Sequence, residues 1–533
     1  MPEAAPPSDR RAGRRRSAVT AASTVVLAVA ALALAGCGSS VPRPAVLPDI
    51  YPNRTGPATM FTAPGIGDLT PANLQTLKRL GVTDVQVYMH WADIAPNPTS
   101  RRRPTFDATD PAAYPPAGWT QYDAVVRELA ALHMGLDLAL ISPTPLWAQG
   151  PGAPRGRDPA PHWKPNATWY GQWVRAVGER YSGHYTPPGQ ASALPRVRFW
   201  SIWNEPNSGN QLAPLGVAPR YYRALVDAAW SALQATGHGH DQILIGELAP
   251  AGCRPGAADC GMGMTPGLEF LRDLYCVGPT YRPLTGTAAA ALGCPVTPAG
   301  SSRFRADDPG LFDATGFADH PYTFGPAPDV LFPGEPDYTN LAAIPNLEAV
   351  LDRLQAAYGS SNRLPIWSTE YGYLTNPPDT SSDTVSPQTA ARYLNWAEYI
   401  TWLDPRIRSY DQYELQDPPG SGGVFASGLE TATGAPKPTF YAFRVPIFLP
   451  VTTTDHGHPL DVWGCARAAP AAAAISHRRQ SVEIQFSAAG GRFRTVATVA
   501  LVSRHGYFEV HVQFPGSGQV RLAWTPPHGP TQY

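Results

Sequence analysis

Apolar and polar positions follow two rhythms along this chain, and the change between them divides it. From about residue 58 to 445, short apolar runs alternate with amphipathic stretches. The runs are "TMFTA" (59–63), "VTDVQVYMH" (82–90), "GLDLALIS" (135–142), "VRFWSIW" (197–203), "ILIGEL" (243–248), "ATGFADH" (314–320), "LPIWSTE" (364–370) and "YDQYELQ" (410–416). Between them, 71–81, 122–135, 219–235 and 386–402 carry apolar residues at helical spacing. The first ends in Gly81, suited to a helix C-terminus, and the last opens on Ser386-Pro387, an N-cap followed by proline. Strand alternating with helix predicts a parallel sheet, and eight such units predict a (β/α)8 barrel (α/β class, TIM barrel). An open doubly wound sheet is the alternative, disfavoured because no glycine-rich phosphate loop follows the first strand.

Beyond about residue 446 the period becomes two. "VEIQFSA" (482–488), "YFEVHVQF" (507–514) and "QVRLAWT" (519–525) alternate strictly, with a glycine-rich turn between the last two. A small antiparallel, sandwich-like domain over 446–533 is predicted. The alanine-rich 466–474 reads as a loop, and the Ser, Pro, Arg and Gly-rich 37–57 as a flexible tether.

The N-terminus alters the picture of where the chain works. Arg10, Arg11, Arg14, Arg15 and Arg16 precede an apolar stretch, 18–35, which ends at Leu34-Ala35-Gly36-Cys37. This resembles a bacterial lipoprotein signal (1–36), whose cysteine becomes lipidated. The mature chain would begin at Cys37 and sit on the outer face of the cytoplasmic membrane, anchored by lipid or simply secreted. An oxidising compartment permits disulfides, and four cysteines fall between 253 and 294. Cys253–Cys260 and Cys276–Cys294 are the expected pairs, leaving Cys465 odd; four cysteines allow three pairings.

Net charge is −1 and only 16% of residues are charged, so composition gives no reason to expect nucleic acid. The 13 histidines are scattered and no cysteine–histidine cluster has zinc spacing; neither metal nor cofactor is expected. A monomer is expected.

In a barrel, chemistry sits where strands end. The fourth run ends in Asn204-Glu205, within "FWSIWNEPN" (199–207), and the seventh in Glu370. Ile366, Ser368 and Glu370 alternate, so they are read as sharing the inward face. The second run ends in His90-Trp91, and the sixth in His320, followed by Pro321 and Tyr322. Glu247 lies at the end of the fifth and is a candidate to reach the site, set against a plain strand-end role. Trp147 is a candidate platform for a flat-faced ligand, set against core packing; Trp200 and Trp203 are read as packing.

Two carboxylates at one barrel mouth suit glycosidic bond cleavage, one as acid/base and one as nucleophile. "WNEPN" and "TEYG" (369–372) resemble the strand ends of the clan A glycoside hydrolases. "VYMHWADIAP" (87–96), "SPTPLWA" (142–148) and "YELQDPPG…GLETATGAPKPTFYAF" (413–443) are similar to family 39 members in particular, with family 5 (cellulase) the neighbouring likeness. The resemblance spans roughly 60–445. It implies that Glu205 is the acid/base, Glu370 the nucleophile and Asn204 the contact to a sugar 2-hydroxyl. Through "HPY" it gives His320 and Tyr322 a part in orienting the nucleophile. His90-Trp91 stands where family 5 has an arginine, and Tyr413 where many clan members have tryptophan; both shape the first sugar subsite. The expectation is a retaining hydrolase of an oligo- or polysaccharide. A transglycosylase or a catalytically inactive carbohydrate-binding scaffold are the alternatives. The segment 277–312 is expected to border the cleft.

Overall fold

The computed structural model describes residues 44–154, 162–253, 261–420 and 423–533. Cys37, Cys260 and the signal-like segment lie outside the described residues. Ahead of the barrel comes a short strand, β1 (Ala45–Leu47). Eight strands then close into a barrel: β2 (Ala58–Ala63), β3 (Asp84–His90), β4 (Gly135–Ile141), β5 (Phe199–Ile202), β6 (Gln242–Leu248), β7 (Gly316–Asp319), β8 (Ile366–Ser368) and β9 (Ile407–Tyr413). Neighbours run parallel in chain order, and β2 pairs with β9 (Ala58 opposite Ser409) to shut the ring. The expected architecture is therefore the observed one.

Local signals account for the helices. In Pro71–Leu80, Thr70 caps the start by accepting from the Asn73 N–H, and Gly81 ends it at φ +86°. Leu74, Leu77 and Leu80 form the buried stripe. Ser386 caps Pro387–Leu403 in the same way through the Thr389 N–H.

The barrel interior is layered. Met60, Phe199, Leu244, Ala318 and Trp367 come from five different strands and pack together, which is possible only across the lumen. They seal the floor. Above them the layer turns polar, with Thr62, Gln86, Asp137, Ser201, Thr369 and Asp411 all buried. Such groups are costly in a core unless they bond to one another. They do: Gln86 Nε2 donates to Asp137 (2.9 Å), Ser201 Oγ to Asp137 (3.0 Å) and Thr62 Oγ1 to Asp411 (3.2 Å).

The C-terminal region is a two-sheet sandwich. Its remaining strands are β10 (Ile447–Phe448), β11 (Leu460–Cys465), β12 (Ser481–Ala488), β13 (Arg494–Ala500), β14 (Tyr507–Val512) and β15 (Gly518–Ala523). One sheet has the order β1-β13-β12-β15 and the other β10-β11-β14. Val462, Phe508 and Val510 of one face Val482, Ile484 and Val499 of the other. Two expectations need correcting. The alanine-rich stretch read as a loop contains a helix, Ala469–Ser476, consistent with alanine's helix propensity. From Pro44 onward the supposed tether is part of the fold: β1 pairs in parallel with β13, Ile50 N–H donates to Glu509 O (2.8 Å), and Arg54 lies over the Trp402 ring.

The segment 277–312 also departs from expectation. It joins the C-terminal end of helix Gly267–Leu274 to the start of β7, which puts it at the barrel's floor end, opposite the mouth. Tyr358, at the far end of helix Ile344–Ala357, donates its hydroxyl to Tyr275 O there (2.8 Å), and the Cys276–Cys294 disulfide ties the segment. Cys253 is also disulfide-bonded, and Cys465 is a buried free thiol.

Sandwich and barrel meet through aromatic packing, Trp402 against Trp463, and a buried ion pair. Arg467 Nη1 donates to Glu398 of helix Pro387–Leu403 (2.6 Å), and the Tyr507 hydroxyl to the same carboxylate (2.8 Å). Arg467 also reaches Thr59 Oγ1 on β2 (3.2 Å). Removing one member strands the other charge in the core. Arg467→Ala should cost about 3–5 kcal/mol in urea unfolding, while Arg467→Met with Glu398→Leu recovers most of it. A loss below about 1 kcal/mol for the single variant contradicts this coupling.

Candidate active site

The reactive groups stand on the third tier, at the C-terminal ends of the strands. Backbone geometry puts them there at a cost. Trp203 (φ +72°) and Glu205 (φ +38°) both adopt the left-handed region, turning the chain out of β5 on either side of Asn204. The Glu205 N–H donates to Glu247 O (2.8 Å), and Asn207 latches the turn to the next loop by donating to Ala249 O (2.9 Å) and accepting from its N–H (3.0 Å). On β6 the register shifts between Gly246 (φ +111°) and Leu248, with Glu247 at φ +50°. This bulge aims the Glu247 side chain into the lumen.

His320, fully buried, is the hub. Its Nδ1 lies 3.1 Å from Glu205 Oε1 and 3.6 Å from Glu370 Oε2, and its Nε2 2.9 Å from Glu247 Oε2. Only an imidazolium has an N–H on both ring nitrogens to donate to carboxylates on both sides. Burial opposes that charge, but the Glu370 carboxylate and the bonds to Glu205 and Glu247 hold the ring well above the usual histidine range.

Glu370 is buried among donors. The hydroxyls of Tyr88 and Tyr322 both donate to it, the second at 2.9 Å. Burial pushes its pKa up to about 7; His320 opposes the shift, Glu205 adds to it, and the two tyrosines oppose it. Burial, then Glu370's charge, keeps Tyr88 and Tyr322 protonated throughout. Glu205 is the open member, its side chain 22% exposed against 9% for Glu370. One oxygen from each glutamate and a nitrogen of His320 lie within 4.8 Å of one another. Metal-ligand spacing is thus met, yet a ring donating from both nitrogens has no lone pair for a cation.

The structure gathers Asn204, Glu205, His320, Tyr322 and Glu370 as read from the sequence. Asn204 is buried with an Oδ1 that finds no partner among the described residues. Tyr413 stands half-buried at the mouth, edge-on to Tyr322 and Phe425. His90 is at the rim, its Nδ1 2.7 Å from Ser142 O. Trp91 and Trp147, expected at the ligand, are instead core. Trp91 is fully buried between Trp173 (stacked, 5.6 Å) and Trp147 (edge-on, 5.7 Å), and Trp147 Nε1 donates to Pro96 O (3.0 Å). Trp91 opens a helical turn, Trp91–Ile94, and so rotates out of the alternation that carries His90.

Glu370 reaches the mouth by a different route from the one expected. Trp367 and Thr369 face the lumen, so simple alternation would point Glu370 outward; β8 has ended at Ser368, and the chain turns it in. Tyr88 and Gln86 of β3, which contact Glu370 and Glu247, were not singled out from the sequence, which carries no sign of their partners. Phe324, stacked on Tyr322 (5.6 Å), gave no sequence signal.

No family model matches the chain, and no curated protein matches it. Among solved structures it is similar to a family 39 glycoside hydrolase from the gut symbiont Bacteroides cellulosilyticus WH2 (14% identity, 86% of this chain and 80% of that one, TM-score 0.47). It is also similar to a glucosidase from Croceicoccus marinus (12%, 88% and 84%, 0.47) and a β-glucosidase from Thermotoga maritima in complex with castanospermine (14%, 70% and 92%, 0.43).

If Trp147 is core, Trp147→Ala should lower stability by about 3–5 kcal/mol. A ligand platform would leave chemical unfolding nearly unchanged, and that result would refute the packing role.

Proposed function

We propose that the chain is a retaining glycoside hydrolase acting on an oligo- or polysaccharide outside the cell, tethered through Cys37. The carrying observation is the approach of Glu205 and Glu370 oxygens to within 4.8 Å. Retaining enzymes hold their carboxyl groups about 5–5.5 Å apart, whereas inverting ones leave room for a water at roughly 6.5–9.5 Å.

The roles follow from the surroundings. Glu370 faces three donors and no acceptor among its described partners, which favours its anionic form as nucleophile. It attacks the anomeric carbon, and the bond to the leaving oxygen breaks. Glu205 has one oxygen held by His320 and is the more exposed, so its free oxygen carries the proton to the departing group. In the second half, Glu205 takes a proton from water, which attacks the same carbon and frees Glu370. The unpaired Asn204 Oδ1 suits a sugar hydroxyl.

Glu370→Gln should reduce turnover of aryl glycosides by at least on the order of 10³-fold with folding intact. Glu205→Ala should slow substrates with poor leaving groups far more than activated ones, with azide restoring rate on the latter. Equal losses on both substrates would count against the acid/base role.

Because the nucleophile must be ionised, activity should fall as pH drops through about 7, where Glu370 takes up its proton. A kcat/KM profile still flat at pH 5 would show that Glu370 is ionised well below that value.

A further inference from the structure

Glu247 takes no part in the bond-breaking described above, yet it is fully buried beneath it. Its oxygens are all spoken for: Oε1 accepts from Gln86 Nε2 (3.1 Å), and Oε2 accepts from Thr369 Oγ1 (2.6 Å) and faces His320 Nε2 (2.9 Å). A bulge in β6 and a left-handed residue exist at this point, and their effect is to deliver this carboxylate to the lumen.

We infer that Glu247 is a positioning residue: it holds His320 as the imidazolium with Nδ1–H directed at the catalytic pair, and so sets which of Glu205 and Glu370 keeps the shared proton. The inference rests on the glycosidase reading for its kinetic arm only.

The charge census around His320 shows why one carboxylate is assigned this task. From β5 it meets Glu205, from β8 Glu370, and from β6 Glu247. Asp319 precedes it on β7. Asp137 on β4 and Asp411 on β9 stand lower in the lumen. Burial drives Asp137, Asp319 and Asp411 well above the ordinary carboxylate range, which favours their protonated forms. Tyr88 and Tyr322 are neutral donors to Glu370. His320 is the one candidate cation among the described residues of this cluster. Nε2 can keep its proton only while an acceptor sits opposite it, and Glu247 is that acceptor. With Nε2 so engaged, Nδ1–H points to Glu205 Oε1 and lies 3.6 Å from Glu370. The cation opposes protonation of Glu370 and fixes Glu205 so that its other oxygen faces the leaving group.

Loss of the charge reverses this. With glutamine at 247, the ring gives up its second proton more readily, its remaining proton can stay on Nε2 facing the amide oxygen, and Nδ1 becomes an acceptor. Glu205 then turns its proton towards the ring, and Glu370 loses its cationic neighbour.

The test has two arms. Long-range proton–nitrogen spectra of protein labelled at the histidine rings, with His320→Gln identifying the signal, read the ring directly. In the wild type both nitrogens should stay protonated to pH 8. In Glu247→Gln the ring should lose its second proton at least about one pH unit lower, whereas Glu247→Asp should keep it. A neutral ring in the wild type at pH 7 overturns the inference without any variant, as does an unchanged titration in Glu247→Gln. In the kinetic arm, Glu247→Gln should lower kcat about 10²-fold with KM nearly unchanged and move the acid limb of kcat/KM upward by about one unit. Equal acid limbs in the two proteins also overturn it. If the wild type hydrolyses no glycoside, the functional reading fails while the ring spectra still decide the role of Glu247.

Discussion

The site depends on one buried cation. His320 is enclosed by Glu205, Glu247 and Glu370, in a lumen that holds further carboxylates at Asp137, Asp319 and Asp411. In so dry a setting a unit charge interacts several times more strongly than in water, and each uncompensated anion is correspondingly costly. The chain meets this in three ways: burial shifts three carboxyls towards their protonated forms, hydroxyls and Gln86 donate to several of the acids, and His320 supplies positive charge. The apolar floor of Met60, Phe199, Leu244, Ala318 and Trp367 excludes water from below, so the mouth is the wet end of the network.

Holding that arrangement requires backbone that an ordinary barrel strand does not have. Trp203, Glu205 and Glu247 all occupy the left-handed region, each costing on the order of 1–3 kcal/mol. The compensation lies in packing nearby. Trp203 is buried against Tyr170, Trp91 stacks on Trp173, and Asn207 ties the strained turn to the next loop. The tryptophans beside the third and fourth rims thus act as the rigid wall that keeps Glu205 in place. At the opposite side, Arg467 and Glu398 fasten the sandwich to β2 and the helix between β8 and β9. This braces the seam where β2 and β9 close the ring.

Much of this was legible in the sequence, for reasons that also explain the failures. Strands and helices of a barrel differ in period, and the period is a local property, so the eight strands could be read from short windows. Pairing Glu205 with Glu370 needed only the rule that strand ends converge, plus a family likeness. What local pattern cannot show is where regular structure stops. Strict alternation put Glu370 on the face of Ile366, but the strand ends two residues earlier, and the partners on its inner face are Trp367 and Thr369. Its place at the end of the second run made Trp91 a neighbour of the ligand, whereas a helical turn begins there and sends it into the core. A lone exposed-looking tract such as 44–57 gives no hint that its strand partner lies at 497–499. The bond from Glu247 to His320 spans β6 and β7, and only the bulge, invisible in residue types, delivers it.

The two glutamates are chemically identical, so their different tasks must come from placement alone. Glu370 lies below the rim with the Tyr88 and Tyr322 hydroxyls and the His320 ring directed at it; each is a donor, and donors stabilise the anion. Its burial pulls the other way, which is why its ionisation falls close to neutrality rather than in the ordinary carboxylate range. Glu205 shares the ring with it but stands further into solvent, with a single side-chain donor among the described residues. The oxygen of Glu205 that no described group holds is therefore the one open to the mouth. A sugar filling the mouth would displace water from that oxygen and strengthen the field of the donors around Glu370. Binding would then sharpen a distinction that the empty site already contains, with His320 as the shared element through which one glutamate's charge is felt by the other.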